Sequence, residues 1–465
     1  MKPVLWKLEE IVRATNGRLF SENKEKVFFG ISIDSRQILS DDLFIAIKGE
    51  NHDGHSFLDE VKSRGVKGAV IQGDKIKDLN VNKYAREGMS LIAVDNTIKA
   101  LGNLANYRRR QCNVSVIAIT GSNGKTTTKE MTALILSQRF KVLSTTGNLN
   151  NEIGLPLTLF HLNPEHEKAV LELGMNHLGE IRRLAEICMP DIGIITNIAP
   201  SHLEGLGSIE SVRDAKGELL EKTNPEGTAA LNADDPNVMS IAEKTSLKIC
   251  LYGHSDKALI RAGAVINKGQ GLLFELITPS ESIMVELNVS GRFMISNALA
   301  AAAAGYLSGL KVLEIKSGLE AFRPVKGRMN ILKTKSGINI IDDTYNANPY
   351  SMRAAIDTIK SLAGDNRKVF VLGDMLELGN YAKQMHYELG RTAFGSGPKN
   401  LFLTGDYAKD TASGAIELGM NPENIFIGTK EEIIKHIFEG FQPGDWILVK
   451  GSRSMKMETI VNSLI

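Results

Sequence analysis

Thr120-Gly121-Ser122-Asn123-Gly124-Lys125-Thr126-Thr127 carries the residue types, in order, of a phosphate cradle. An apolar run at 114–119 precedes it and reads as a buried parallel strand, while Met131, Leu134 and Ile135 follow at helical spacing. Between strand and helix, glycines let the backbone curl so that successive N–H groups point inward, and the helix N-terminus adds partial positive charge. Lys125 can then reach the β- and γ-phosphates of a nucleotide, and the Thr126 hydroxyl can ligate Mg²⁺. The loop departs from the general G-x-x-x-x-G-K-[ST] pattern, whose first glycine would fall on Ile119; it is the shorter G-x-x-G-K-T starting at Gly121. A turn rich in glycine by chance is the bland alternative, and Lys and Thr following in register argue against it.

Metal ligands for a triphosphate should come from neighbouring strand ends. Glu172 lies in Leu171-Glu172-Leu173-Gly174, a carboxylate inside an otherwise apolar strand, which is costly to bury unless it meets a cation. His202 follows the next strand and falls at the same edge; a surface histidine is the alternative, and strand-end position beside a phosphate loop favours a metal ligand. Lys216 sits on an expected helix and, from its residues alone, reads as a solvated surface charge. His52 and His55 are three apart, but with no third ligand nearby they read as parts of a polar loop closing onto a helix at Phe57.

The elements that must hold these groups fall into three parts. A chain of 465 residues suggests roughly two to four domains. Residues 1–95 lack strand–helix regularity, with a helix at 8–15 and short strands at 28–33 and 43–47. Residues 96–323 alternate strands (114–119, 140–144, 169–173, 192–197, 228–231, 248–252) with helices, then give a hairpin at 272–277 and 283–289 and an Ala-rich helix within 291–310. That alternation predicts a doubly wound parallel sheet with ligands at the carboxyl ends of its strands. Residues 324–465 form a second, Rossmann-like α/β unit with strands at 338–342, 368–372, 400–403, 424–427 and 446–449. Its turn Leu372-Gly373-Asp374-Met375 lacks the full G-x-G-x-x-G, so alone it is a weak sign of a ligand. Asn348-Pro349 supplies an N-cap and first residue for the helix that follows.

Composition narrows the class. An apolar share of 43% and a charged share of 23% are those of a globular protein, and a net charge of +1 argues against nucleic-acid binding by bulk electrostatics. Cys112, Cys188 and Cys250 are far apart without metal spacing and read as reduced core thiols. Residues 1–20 have no apolar core of signal-peptide length and read as an amphipathic helix. The small-apolar run 298–310 is broken by Gly305, Ser308 and Gly309 and is too short to span a bilayer. A cytoplasmic enzyme or nucleotide-binding protein is the expectation.

Together these residues resemble the Mur ligase family over essentially the whole chain. Asp34-Ser35-Arg36 and Asp53-Gly54-His55 are similar to the family's loops for the UDP-sugar end of the substrate. The Gly121–Thr127 loop, Glu172 and Ser201-His202-Leu203-Glu204 leading to Lys216 make the second block. The third is Lys326-Gly327-Arg328, Asp342-Asp343-Thr344-Tyr345-Asn346-Ala347-Asn348-Pro349 and Gly373-Asp374-Met375-Leu376-Glu377-Leu378-Gly379. These last motifs point to the dipeptide-adding branch; an Asp-Asn-Pro-Arg motif of the preceding ligase is absent.

The resemblance implies ATP-dependent amide ligation through an acyl phosphate, joining D-alanyl-D-alanine to UDP-N-acetylmuramoyl-tripeptide in a monomer. It implies that Gly121, Ser122, Asn123, Gly124, Lys125, Thr126 and Thr127 hold the ATP phosphates. Thr126 would hold one Mg²⁺, and Glu172 and His202 a second, positioned by a carbamylated Lys216. Arg328 would reach the phosphates, Asp343 the ribose and Asn297 the adenine. Ser35, Arg36, Asp53, His55, Asn346 and Asn348 would contact substrate. The family's Gly-x-His-Asn before Asn297 reads here Gly291-Arg292-Phe293-Met294, a departure on the adenine side. Folylpolyglutamate synthetase shares loop and chemistry but lacks the N-terminal block. A nucleotide-driven switch would want an Asn-Lys-x-Asp motif that this sequence does not contain.

Overall fold

A computed structural model describes residues 5–465; the first four residues of the segment read as an amphipathic helix lie outside it. The helix in that segment is Leu8–Thr15, its apolar side set by Leu8 and Ile11, both buried. It stops there because Asn16 turns left-handed, and Arg18–Phe20 continues as a strand.

The N-terminal part is more regular than its sequence suggests. Five strands lie in the order Arg18–Phe20, Ser90–Val94, Gly68–Gln72, Asp42–Ile45 and Gly30–Ser32, all parallel except the first. Alternate side chains leave opposite faces of a strand, and the burial shows it. Ala69, Ile71, Leu91 and Ala93 pack in one apolar cluster, and Val70, Ile92 and Val94 in another, beneath the helix Thr97–Gln111.

The central sheet has nine strands. From one edge they run Val142–Ser144, Lys168–Glu172, Ser115–Thr120, Ile192–Ile195, Thr228–Asn232, Lys248–Gly253 and Ile260–Lys268, paired in parallel. Gly271–Ile277 and Ser282–Leu287 extend it antiparallel. Ile117 and Ile119 face the helices Lys125–Leu136 and Phe293–Leu307, while Val116 and Ala118 pack on the opposite face with Ile181, Leu184, Val212 and Leu219. The sheet is therefore wound on both faces, as its unbroken apolar strands require. The Ala-rich helix lies close: Ala300 to Ala304 are fully buried, and a Cβ on Gly305 would stand 2.7 Å from Ile135 Cγ2.

The C-terminal sheet orders Asn330–Lys333, Asn339–Asp343, Trp446–Lys450, Lys368–Leu372, Asn400–Leu403 and Ile425–Ile427, with only the first antiparallel. Register places Asp343 and Leu372 beside Lys450, so these strand ends share one edge. In the central sheet Glu172 pairs with Ile119 and Ile195 with Thr120, which brings their following residues to the edge where the glycine loop starts. Apolar packing runs on from the central unit into the C-terminal one: Ile117, Ile341 and Phe370 belong to one cluster.

Candidate active site

The glycine loop is fixed from both sides. Gly121 has φ +148° and Gly124 φ +81°, and a Cβ would stand 1.9 Å from Thr196 Oγ1 at the first and 2.1 Å from Asn297 Oδ1 at the second. No larger residue fits either place without displacing its neighbour. The amide of Ser122 donates to the Asn197 carbonyl (2.9 Å) and that of Asn123 to Asn197 Oδ1 (3.0 Å). Thr196 Oγ1 donates to the Asn123 carbonyl at 2.6 Å. The helix Lys125–Leu136 starts directly after, leaving the amides of its first turn without partners in the helix.

A cavity of about 340 Å³ opens over this helix N-terminus, and Lys125, Thr126, Glu172, His202, Arg328 and Asp343 are among its walls. Lys125 Nζ donates to the Gly121 carbonyl at 2.8 Å. Burial above all holds its ammonium below the ordinary lysine range; Glu172 opposes that and Arg328 reinforces it. The Glu172 carboxylate, 2% exposed, accepts from Thr126 Oγ1 and from Asn150 Nδ2, each at 2.8 Å. Among the described residues no lysine, arginine or histidine pairs with this carboxylate; two neutral donors hold it. A hydroxyl and a carboxylate converging beside a phosphate cradle are the hard oxygen donors that Mg²⁺ prefers. Among the described residues no cluster of three or more His, Cys, Asp or Glu forms a ready-made metal cage.

Lys216 overturns the reading of a solvated charge. It is 1% exposed on the helix Ile209–Glu221. Burial first, and the nearby Lys125 charge second, push its pKa well below the ordinary value, with no acidic group offsetting them. It does not line this cavity. Both effects disfavour the ammonium and favour the neutral, nucleophilic amine, and an anion at this position would be attracted to the neighbouring Lys125 charge.

The C-terminal unit closes the cavity. Arg328 lies over the Tyr345 ring with Cζ 4.0 Å from its centre, and its charge is felt at Lys125. Asn348, the N-cap of Pro349–Ala363, donates from Nδ2 to Asn123 Oδ1 in the glycine loop at 2.8 Å. Asp343 is held by Lys450 Nζ and by the Met329 amide at 3.1 Å, and the Asn346 carbonyl accepts from Lys450 at 2.9 Å. Asn297 is buried against Gly124, on the cavity wall that Phe293 and Met294 share.

A second cavity, about 500 Å³, shares Ser122, Lys125, His202 and Asn348 with the first and is otherwise built largely from the C-terminal unit, including Glu377, Tyr407 and Arg453. The turn after Leu372 serves structure here: buried Asp374 accepts from the amides of Asp406 (2.7 Å) and Tyr407 (3.2 Å). Further along, Glu377 meets His202, with Oε2 2.6 Å from Nδ1; the distance suits an ion pair, although the alignment is poor for a hydrogen bond. The His202 contact, above all, draws the Glu377 carboxyl below its usual pKa.

The first block stands differently. Asp53 caps the short helix Gly54–Phe57, accepting from the His55 amide at 3.0 Å and lying 2.6 Å from His55 Nδ1. His55 Nε2 accepts from the Gln72 amide at 2.9 Å, so the buried ring has both nitrogens engaged. Arg36 is exposed and pairs with Asp34 at 2.8 Å, a contact that lowers the Asp34 pKa to about 2; Ser35 is buried. None of these residues lines either cavity. Sequence reasoning gave no role to Asn150, Asn197, Glu377 or Lys450. Lys450 was findable as the only charged residue in the apolar strand Trp446–Lys450, by the logic that singled out Glu172.

Comparison with known proteins identifies the family. Three family models match in order: the Mur ligase family catalytic domain over 28–109, the Mur ligase middle domain over 119–305, and the Mur ligase, glutamate ligase domain over 327–453. The chain is 35% identical to a UDP-N-acetylmuramoyl-tripeptide–D-alanyl-D-alanine ligase of Bacillus subtilis over 98% of both chains. A crystal structure of MurF from Acinetobacter baumannii superposes with a TM-score of 0.91 at 34% identity, covering 100% of this chain and 99% of that one. MurF ligase from Thermotoga maritima in complex with ADP gives 0.82 at 26% identity, covering 93% and 96%. Three models in sequence, with relatives matched end to end, place this chain in the Mur ligase family.

Proposed function

We propose that this chain is an ATP-dependent ligase that joins D-alanyl-D-alanine to UDP-N-acetylmuramoyl-tripeptide, giving the UDP-pentapeptide, ADP and phosphate in peptidoglycan precursor synthesis. One observation carries the reading: two cavities share the wall of Ser122, Lys125 and His202, one over the phosphate loop and one over the C-terminal unit. ATP in the first and an amine acceptor in the second would meet at Lys125. The chain divides into a UDP-sugar-binding unit (1–95), an ATP-binding unit (96–323) and a ligase unit (324–465), acting in the cytoplasm as a monomer.

A carboxylate acylates poorly, so the tripeptide carboxylate first attacks the γ-phosphorus, forming a C–O–P bond as the bond to the ADP oxygen breaks. The dipeptide amine then attacks the carbonyl carbon, a tetrahedral intermediate forms, and phosphate departs with its electron pair as the amine loses a proton. Negative charge on phosphoryl oxygens is what the site must stabilise. The loop residues 121–127 cradle the phosphates, Lys125 and Arg328 oppose their charge from two units, Asp343 takes the ribose and Asn297 the adenine. Thr126, Glu172 and His202 would hold Mg²⁺, two ions in all, which supply charge neutralisation at the phosphates when bound. The amine of Lys216 suits carbamylation, which places an anion behind Lys125. Asn346 and Asn348 face the acceptor, and Ser35, Arg36, Asp53 and His55 belong to the UDP-sugar unit. In that unit Asp53 and His55 shape the loop through their mutual contact.

Phosphate release tests the reading: it should need ATP, a UDP-tripeptide and D-alanyl-D-alanine together. Hydrolysis without either acceptor substrate would mark a nucleotide switch, and release with a folate and glutamate instead a folylpolyglutamate-like ligase. Running the assay with lysine- and diaminopimelate-ended tripeptides identifies the third peptide residue.

A further inference from the structure

Glu377 and His202 come from different units and meet in unusual backbone conformations. His202 has φ +54° and Glu377 φ +62°, the left-handed region that residues with a side chain seldom adopt. Such strain persists where the surroundings fix it, and it clusters at working sites. Here the fixing contacts cross the unit boundary. The Glu204 amide donates to the Glu377 carbonyl at 3.0 Å, and Gly379, with φ +55°, lies so close that a Cβ would stand 3.3 Å from Glu204 Cα. The Glu377 carboxylate then lies 2.6 Å from His202 Nδ1. The carboxylate stands on the Nδ1 side of the ring, which leaves Nε2 as the nitrogen free of an acidic neighbour, and His202 lines the phosphate cavity, which Glu377 does not.

We infer that Glu377 is a positioning residue: docking of the C-terminal unit delivers its carboxylate to His202 Nδ1, orienting the ring so that Nε2 faces the phosphate cavity, and the divalent-cation site is complete only in the docked molecule. A carboxylate on the far nitrogen fixes the ring and tautomer of a metal-bound histidine and raises its basicity, and losing such a partner weakens metal binding by about 10- to 100-fold. Docking and cation binding are then linked, each favouring the other by the same factor. This rests on the proposed role of His202 as a cation ligand.

The test uses full-length protein and Mn²⁺, titrated at a saturating non-hydrolysable ATP analogue and followed by loss of the free-ion paramagnetic signal, with no turnover needed. Glu377→Ala should weaken Mn²⁺ binding about tenfold. Glu377→Gln, whose amide oxygen keeps a partial negative charge toward Nδ1, should recover part of that loss. Analogue affinity without metal should stay unchanged, which a general loss of structure would not allow. A change under threefold in Glu377→Ala, or a Gln variant no better than Ala, overturns the inference. Wild-type protein that takes up no Mn²⁺, or binds it equally after His202→Ala, overturns the ligand assignment itself, and this inference with it.

Discussion

At the scale of single residues, the site turns on two lysines that sequence treats unequally. Lys125 announces itself, because a lysine between glycine and threonine at a strand-to-helix turn has one well-defined use. Removing it as Lys125→Ala should lower turnover at least about a hundredfold, the scale for one preorganised charge-stabilising group, as measured by phosphate release; near-normal turnover would take the loop out of the mechanism. Lys216 carries no local mark. A lysine on a helix is solvated by default, and only the packing of Ile209–Glu221 shows this one to be buried with its proton affinity pushed down. As a carbamate it supplies an anion, so Lys216→Ala should lose activity that a short carboxylate in solution partly restores. Bicarbonate depletion should slow the wild type and not the variant. Normal activity of the variant without added carboxylate would refute the modification. The thiols were legible from composition alone: Cys112, Cys188 and Cys250 are free and buried, with burial pushing Cys188 up to about 12 and Cys250 to about 11. A maleimide at neutral pH should therefore label none of the three in the native protein and all three in denaturant, counted by mass.

Elements were legible where their pattern was long. The strand, loop and helix around Lys125 and the alternating centre of the chain follow the expected order. Two buried strands of the first unit, Gly68–Gln72 and Ser90–Val94, escaped notice because runs of three or four apolar residues fit a buried helix as well as a strand. Ile260–Lys268 was missed for the opposite reason: it ends in exposed polar residues and breaks register between Ala262 and Val265. Asn330–Lys333, only partly buried, gives as little pattern. The glycine loop makes the sharpest prediction at this scale. Gly124→Ala must hold alanine at a left-handed φ, which costs about 1–2 kcal/mol, and must also push Asn297 away from a Cβ built 2.1 Å from its oxygen. Urea unfolding should register a loss of at least that size, and nucleotide affinity should fall with it. An alanine variant as stable and as tightly binding as wild type would show that the loop is free to adopt another shape.

For the whole molecule, what the family resemblance implied was that Arg328 lies beyond the central unit and yet would work at phosphates held by Lys125. It could not say how the units meet, because that depends on contacts between residues more than a hundred positions apart. The structure supplies them: Arg328 beside the phosphate cavity, Asn348 on Asn123 and Glu377 on His202. Polar contacts of this kind are individually weak, of the order of 1 kcal/mol, so docking of the C-terminal unit is adjustable by what the cavity holds. A triphosphate bridging Lys125 and Arg328, as proposed, would join the two units through charge, and an acyl phosphate formed between them would have to be kept from water. Docking should therefore strengthen with ligand. Small-angle scattering should show a smaller radius of gyration when ATP analogue and UDP-tripeptide are added together. In Arg328→Ala the analogue should still bind, through the loop, but compaction should be reduced, since the bridge has lost one end. Identical profiles with and without ligands would mean that the units are already locked, and equal compaction in Arg328→Ala would place the bridge elsewhere.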